Sequence, residues 1–136
     1  MLITKETDYA LRILRALANG EQLTATALAE GEQVPKQFAY KILKKLEKAG
    51  FVRILRGAEG GCFLTANLRQ TTLYQLMQAM EEDSAISTCM NPNYSCPWRS
   101  AHDGRTCRTH LHLLAIQKKL DRELDSHALH EILFGD

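Results

Sequence analysis

A mainly helical α+β domain with one small β-hairpin, followed by a long C-terminal helix, is the fold class predicted for this 136-residue chain. Apolar residues recur at helical spacing in successive segments before residue 50. Two apolar runs flank the turn sequence RGAEGG. Leu113, Ile116, Leu120 and Leu124 follow one another at 3-4-4 spacing.

Tyr9, Ile13, Leu14 and Leu17, with Ala10 and Leu11, share one helical face, and Gly20 ends that helix. Thr24 caps a second short helix through Leu28 and Ala29, and residues 31–34 form a turn. Pro35 suits the first turn of a third helix, where its missing N–H costs nothing. In that helix Phe38, Ile42 and Leu46 form an apolar stripe with Ala39 and Leu43 beside it, and the lysines project from the other side. Gly50 stops it. Phe51 to Leu55 has strand composition, RGAEGG turns, and Cys62, Phe63 and Leu64 return, which makes a hairpin. Thr71 or Thr72 caps a fourth helix through Leu73, Leu76, Met77 and Met80. The long helix starts near Arg105, and residues 128–134 form a last short helical segment. Three short helices and then a hairpin is the order of a winged helix-turn-helix, whose third helix enters the DNA major groove. The chain divides into a winged helix-turn-helix domain at 1–81, a cysteine-rich loop at 82–104, and a dimerisation helix with a C-terminal segment at 105–136.

The net charge of +1 hides an asymmetry: residues 1–70 carry 11 basic against 7 acidic residues (+4), and residues 71–136 carry 6 against 9 (−3). From Lys36 to Arg56 there are seven positive residues and a single acid, Glu47. A lysine run alone reads as a solvated helix face. This one falls on the third helix and the hairpin, where a winged domain meets DNA, and so points to a double-stranded DNA operator as partner. The candidate DNA contacts are Lys36, Gln37, Tyr40, Lys41, Lys44 and Lys45 on the helix and Arg53, Arg56 and Gly60 on the hairpin. Lysines there hold phosphates more often than they read bases. No apolar run is long enough to span a membrane, and MLITKETDYA lacks a signal-peptide core, so the expected location is the cytoplasm.

The stretch CMNPNYSCPWRSAHDGRTCRTH places Cys89, Cys96 and Cys107 in a loop rich in Asn, Pro, Ser and Gly, with His110 at Cys-x-x-His spacing. In a reducing compartment such cysteines bind metal or do redox chemistry more often than they form structural disulfides. The loop suits a metal, an iron–sulfur cluster or a switchable disulfide. Gaps of six and ten residues lack the close Cys pairs of ordinary zinc modules. Cys62, set in a strand, reads as a small packed residue, and Trp98 as a loop anchor over apolar surface. His102, His112, His127 and His130 read as surface or packing residues. Nothing supports an enzyme: there is no nucleophile motif and no carboxylate pair.

Together these features resemble the IscR/NsrR/RirA family of bacterial winged-helix transcription regulators over essentially the whole chain. LITKETDYALRIL is similar to the family's opening helix, VPKQFAYKILKKLEKAGFV to its recognition helix, and RGAEGGCFL to its wing. The three-cysteine loop before a long helix is the fourth shared element. The resemblance implies a homodimer whose operator affinity is set by a [2Fe–2S] or [4Fe–4S] cluster sensing iron, redox state or nitric oxide. Its ligands would be Cys89, Cys96 and Cys107, with His110 or Asp8 of the partner subunit as the fourth. The loop gaps are longer than the family's usual spacing, and Cys62 stands where the wing usually has an aromatic residue. Some members of the fold lack a cluster, which leaves thiol oxidation or metabolite binding as the alternative switch.

Overall fold

The computed structural model describes residues 1–135. Helices α1 (Lys5–Leu17), α2 (Ala25–Glu32) and α3 (Lys36–Lys48) are followed by strands β1 (Val52–Leu55) and β2 (Gly61–Leu64). Then come α4 (Leu73–Ala79), a 3-10 turn at Thr88–Met90, and helices α5 (Pro97–Ala101), α6 (Arg108–Asp125) and α7 (Leu129–Phe134). The mainly helical class with a hairpin wing is the one expected.

The apolar spacing of α1 and α3 builds the core. Ala10, Ile13, Leu14 and Leu17 of α1 meet Ile42, Leu43 and Leu46 of α3, and all are buried. Thr24 caps α2, its hydroxyl accepting from the N–H of Ala27 at 3.0 Å. The helix runs two residues further than the sequence suggests, through Gly31 to Glu32, because Gln33 rather than glycine takes the left-handed end position at φ 55°. Pro35 sits just before α3 rather than in its first turn. Of the two candidate threonines it is Thr72 that caps α4, in a reciprocal capping box with Gln75.

β1 and β2 are antiparallel, with Ile54 opposite Cys62 and Leu55 opposite Gly61. Leu23 adds a third rung, exchanging backbone hydrogen bonds with Cys62 at 3.0 and 2.8 Å. That rung explains the glycine at 61: a Cβ there would lie 3.0 Å from the Leu23 carbonyl, and φ is +156°. The wing is thereby tied to the segment entering α2.

The long helix begins at Arg108, three residues beyond the expected start, because Cys107 occupies its cap position. The C-terminal segment returns to the N-terminal core. Leu129 donates its N–H to the Thr71 carbonyl at 2.8 Å, His130 donates to Leu68, and the N–H of Leu73 donates to the His127 carbonyl. Leu129 is completely buried and Leu133 packs against the same cluster as α1.

If α7 completes the core, Leu129→Ala costs about 2–5 kcal/mol by cavity formation. Ile132→Ala, on the exposed side of the same helix, stays within about 0.5 kcal/mol. Urea denaturation of the two variants is the check, and equal effects would show that α7 does not dock in this way.

Candidate functional site

The exposed face of α3 carries Lys36, Gln37, Tyr40, Lys41 and Lys44, opposite the buried Ala39, Ile42, Leu43 and Leu46. Tyr40 is 49% exposed, unusual for an aromatic on a helix with so regular a buried stripe. A groove of about 360 Å³ separates this face from the wing and is lined by Tyr40, Lys44, Arg56, Gly60 and the exposed start of α2. Arg53 and Arg56 are exposed on the hairpin. Gly60 is needed for the turn itself: a Cβ would meet the carbonyls of Leu55 and Gly57 at 2.7 and 2.8 Å. Thr26 lines the same groove, a neighbour that no motif singled out. Glu47, the one acid of the basic stretch, accepts from the N–H of Ile54 at 2.9 Å and so links α3 to β1.

Lys45 departs from the expected pattern. The sequence placed it among the DNA contacts, but its side chain is only 19% exposed. Its ammonium lies 3.0 Å from Glu6 and donates to the Met80 carbonyl at 3.2 Å, with Glu81 at 3.9 Å. It joins α3 to α1 and to the end of α4. Lys41, more exposed, holds the other Glu6 oxygen at 2.8 Å. The hydrogen bond from Lys41, followed by that from Lys45, holds the Glu6 carboxyl below its ordinary range against the opposing effect of burial. This contribution is full above the ordinary carboxylate value and fades as pH falls through the lower folded one.

All four cysteines are free. Cys62 is 1% exposed, donates to the Leu23 carbonyl at 3.3 Å, and has its thiol pushed up to about 11 by burial. It is a packed residue, as expected. The other three are half-buried. Cys89 lies in the 3-10 turn against α6, with Ser87 Oγ 3.3 Å from its sulfur. Cys96 precedes α5 at its cap. Cys107 caps α6, its sulfur accepting from the N–H of His110 at 3.4 Å. No three His, Cys, Asp or Glu side chains gather closely enough to hold a metal ion among the described residues. Asp8 is on α1, paired with Arg12 at 2.8 Å. Trp98 is 45% exposed and stacks on His102, ring centres 4.3 Å apart. His127 is paired with Glu123 at 2.9 Å.

The apolar stripe of α6 divides in two. Leu124 is buried with Gln117, seven residues apart on one side of α6, while Leu111 and Ile116 are 52% and 44% exposed at other positions around the helix. An 18-residue helix is long enough to carry both faces.

The sequence profile of Rrf2, described as "Iron-dependent Transcriptional regulator", matches residues 3–134. The chain belongs to the Rrf2 family. It is 33% identical over 129 residues to the "HTH-type transcriptional repressor NsrR" of Streptomyces coelicolor, a match covering 92% of this chain and 83% of that one. It is 35% identical over 100 residues to protein aau3 of Rhizobium meliloti, covering 71% of this chain and 65% of that protein's length. Among solved structures, CymR, the global cysteine regulator of B. subtilis, superposes with a TM-score of 0.68 at 18% identity, over 100% of this chain and 98% of CymR. IscR of T. potens gives 0.61 at 18% identity, over 98% and 86%. This Rrf2 chain is a DNA-binding transcriptional regulator with the winged fold, not an enzyme. No helix among the described residues is long and apolar enough to cross a membrane.

Two outcomes follow from the site. Native protein treated briefly with iodoacetamide carries label on Cys89, Cys96 and Cys107 and none on Cys62, read by peptide mass spectrometry. Lys45→Ala costs about 1–3 kcal/mol in chemical denaturation, since it leaves the Met80 carbonyl without its partner and removes one of the two lysines on Glu6. Lys44→Ala stays within about 0.5 kcal/mol.

Proposed function

We propose that this Rrf2 protein binds a two-fold operator in double-stranded DNA as a homodimer, with α3 in the major groove and the wing against the flanking backbone. The loop of Cys89, Cys96 and Cys107 sets operator affinity by holding an iron–sulfur cluster. The observation that carries the reading is the pairing of two features on one chain: a basic helix face open to the wing groove, and a loop before α6 that carries three half-buried free cysteines. Lys36, Gln37, Tyr40, Lys41 and Lys44, with Arg53 and Arg56, form the DNA face. Lys45 is left out, because its ammonium is engaged inside the fold. The exposed Ile116 of α6, with the half-buried Leu113 and Leu120 one turn to either side, forms the face toward the partner subunit.

The donor chemistry of the loop fits a cluster. Thiolate sulfur is the soft ligand iron takes, and Cys89, Cys96 and Cys107 are free and accessible where Cys62 is not. His110, one turn into α6, or Asp8 of the partner subunit would complete the set. A cluster with one nitrogen or oxygen ligand supplies an exchangeable corner at which dioxygen, nitric oxide or iron loss acts. The chain's own part is to present the thiols, to keep Cys107 at the cap of α6, and to pass the state of the loop to the helix at the dimer face. Repression of the target genes and a cytoplasmic location belong to the same reading.

A second reading has an observation of its own. The three loop thiols stand apart as free cysteines, which suits a regulator that switches by thiol oxidation without iron.

Anaerobic reconstitution with ferrous iron and sulfide separates the two. Under the cluster reading the wild type takes up both and gains visible absorption that Cys96→Ala lacks, and comparison of His110→Ala with Asp8→Ala identifies the fourth ligand. Colourless, iron-free protein whose DNA affinity responds to diamide moves the assignment to the thiol switch. For the DNA face, affinity falls steeply with salt, and Lys44→Ala lowers the slope of log K against log salt by about 1. A slope near zero in the wild type would remove the phosphate-binding role of α3.

A further inference from the structure

Gln117 and Thr7 are the two buried polar residues among the described residues. The amide of Gln117 is fully engaged. Its Oε1 accepts from the N–H of Ile86 at 2.8 Å, and its Nε2 donates to the Ser84 carbonyl at 2.9 Å and to Asp121 Oδ1 at 2.8 Å. The Ser84 hydroxyl donates to the same Asp121 oxygen at 2.8 Å. Ser84 and Ile86 are two residues apart, so one side chain satisfies both backbone groups on one edge of the chain, as a neighbouring strand would.

The place of this clamp matters more than its strength. Ile86 is followed by Ser87, whose hydroxyl touches the Cys89 sulfur at 3.3 Å. The clamp therefore holds the arm that delivers Cys89. The other end of the loop is held at Cys107, the cap of α6. Ten residues separate Cys107 from Gln117, about 15 Å of rigid helix. Both ends of the cysteine loop are thus referred to one helix, at two fixed heights. Ile116, the residue before Gln117, is exposed on that helix.

We infer that Gln117 is a positioning residue for the loop: it registers the Cys89 arm against α6, so that a change at the cysteines moves the helix instead of being absorbed by slack in the loop. This rests on the loop being the sensing site, and it adds the residue through which sensing reaches the helix. A loop fixed only at Cys107 would let Cys89 move without consequence.

The test uses Gln117→Leu, which keeps the bulk of the side chain and removes every amide bond, and Gln117→Glu, which keeps an acceptor for Ile86 but loses both donors. Circular dichroism confirms that each is folded. The rate of Cys89 alkylation by iodoacetamide is read by peptide mass spectrometry with Cys96 as internal reference, and operator affinity is compared between reduced protein and protein reconstituted with iron and sulfide or oxidised with diamide. In Gln117→Leu the Cys89 rate rises about tenfold relative to Cys96, and the ratio of operator affinities between the two loop states falls toward one. Gln117→Glu, whose carboxylate faces the Asp121 carboxylate and the Ser84 carbonyl without a donor, departs from wild type at least as far on both. Cys89 alkylated at the wild-type rate in Gln117→Leu overturns the proposal, and so does a raised rate with the wild-type affinity ratio preserved. A wild type whose operator affinity ignores the loop state sinks the sensing reading, and with it transmission through Gln117. The alkylation rates are measured without DNA or iron, and they decide in either case whether Gln117 holds the arm.

Discussion

Glu6 holds two lysines of α3 at once, Lys41 at 2.8 Å and Lys45 at 3.0 Å, and the orientation of the candidate DNA-binding face depends on that carboxylate. Apolar packing of Ile42 and Leu46 on α1 fixes how deep α3 sits, but dispersion is not directional and tolerates small rotations about the helix axis. A carboxylate with one lysine on each oxygen is directional. It sets the angle at which Tyr40 and Lys44 look outward. Because Lys45 also donates to the carbonyl of Met80, the same junction fixes the end of α4, from which the cysteine loop departs. Glu81, the next residue, takes a left-handed conformation at φ 59°, a cost for a residue with a Cβ, and its carboxylate lies about 4 Å from Lys45 and Lys48. Charge attraction and the turn geometry favour the same exit for the chain.

Elements whose cause is local could be read from the residues alone. The stripe Phe38, Ile42 and Leu46, the Thr24 cap, the glycine stops and the apolar runs about RGAEGG each need only neighbours in sequence, and each appears in the structure near its expected place. The inwardness of Cys62 was legible for the same reason, since a cysteine inside a strand of a small hairpin has a face to fill. What failed to show in the sequence depends on partners far along the chain. Lys44 and Lys45 are adjacent and identical in type. Only the arrival of Glu6, thirty-nine residues away, and of the Met80 carbonyl makes one a free cation and the other an interior tie.

The same argument applies to the C-terminal half. An apolar stripe at 3-4-4 spacing says that a helix has a face to cover, not what covers it. In the structure Leu124 is buried and Ile116 exposed, a division that depends on the rotation of α6 about its own axis. Gln117, which no motif marks, is buried two turns before Leu124 and bonds the chain at Ser84 and Ile86. The return of α7 to the core was hidden for a related reason: six residues with one completely buried leucine carry too little pattern to declare a long-range contact. The loop cysteines show the limit most plainly. Their donor type was legible from chemistry, whereas their convergence is a property of the chain's path, and in the structure they stand apart.

That separation has a mechanical consequence. Cys107 is the cap of α6, and the arm that leads to Cys89 is bonded to Gln117 ten residues along, so both ends of the loop are anchored to one helix at different heights. Cys107 is held at the start of α6 twice, its sulfur accepting from the N–H of His110 at 3.4 Å and its carbonyl from the N–H of Leu111 at 3.1 Å. Gln117 is held by bonds of 2.8 and 2.9 Å in a buried position, where each group left unpaired carries a desolvation penalty. In this arrangement the Gln117 anchor ties the Cys89 arm to the body of α6, and Cys107 ties the other end of the loop to the start of the same helix.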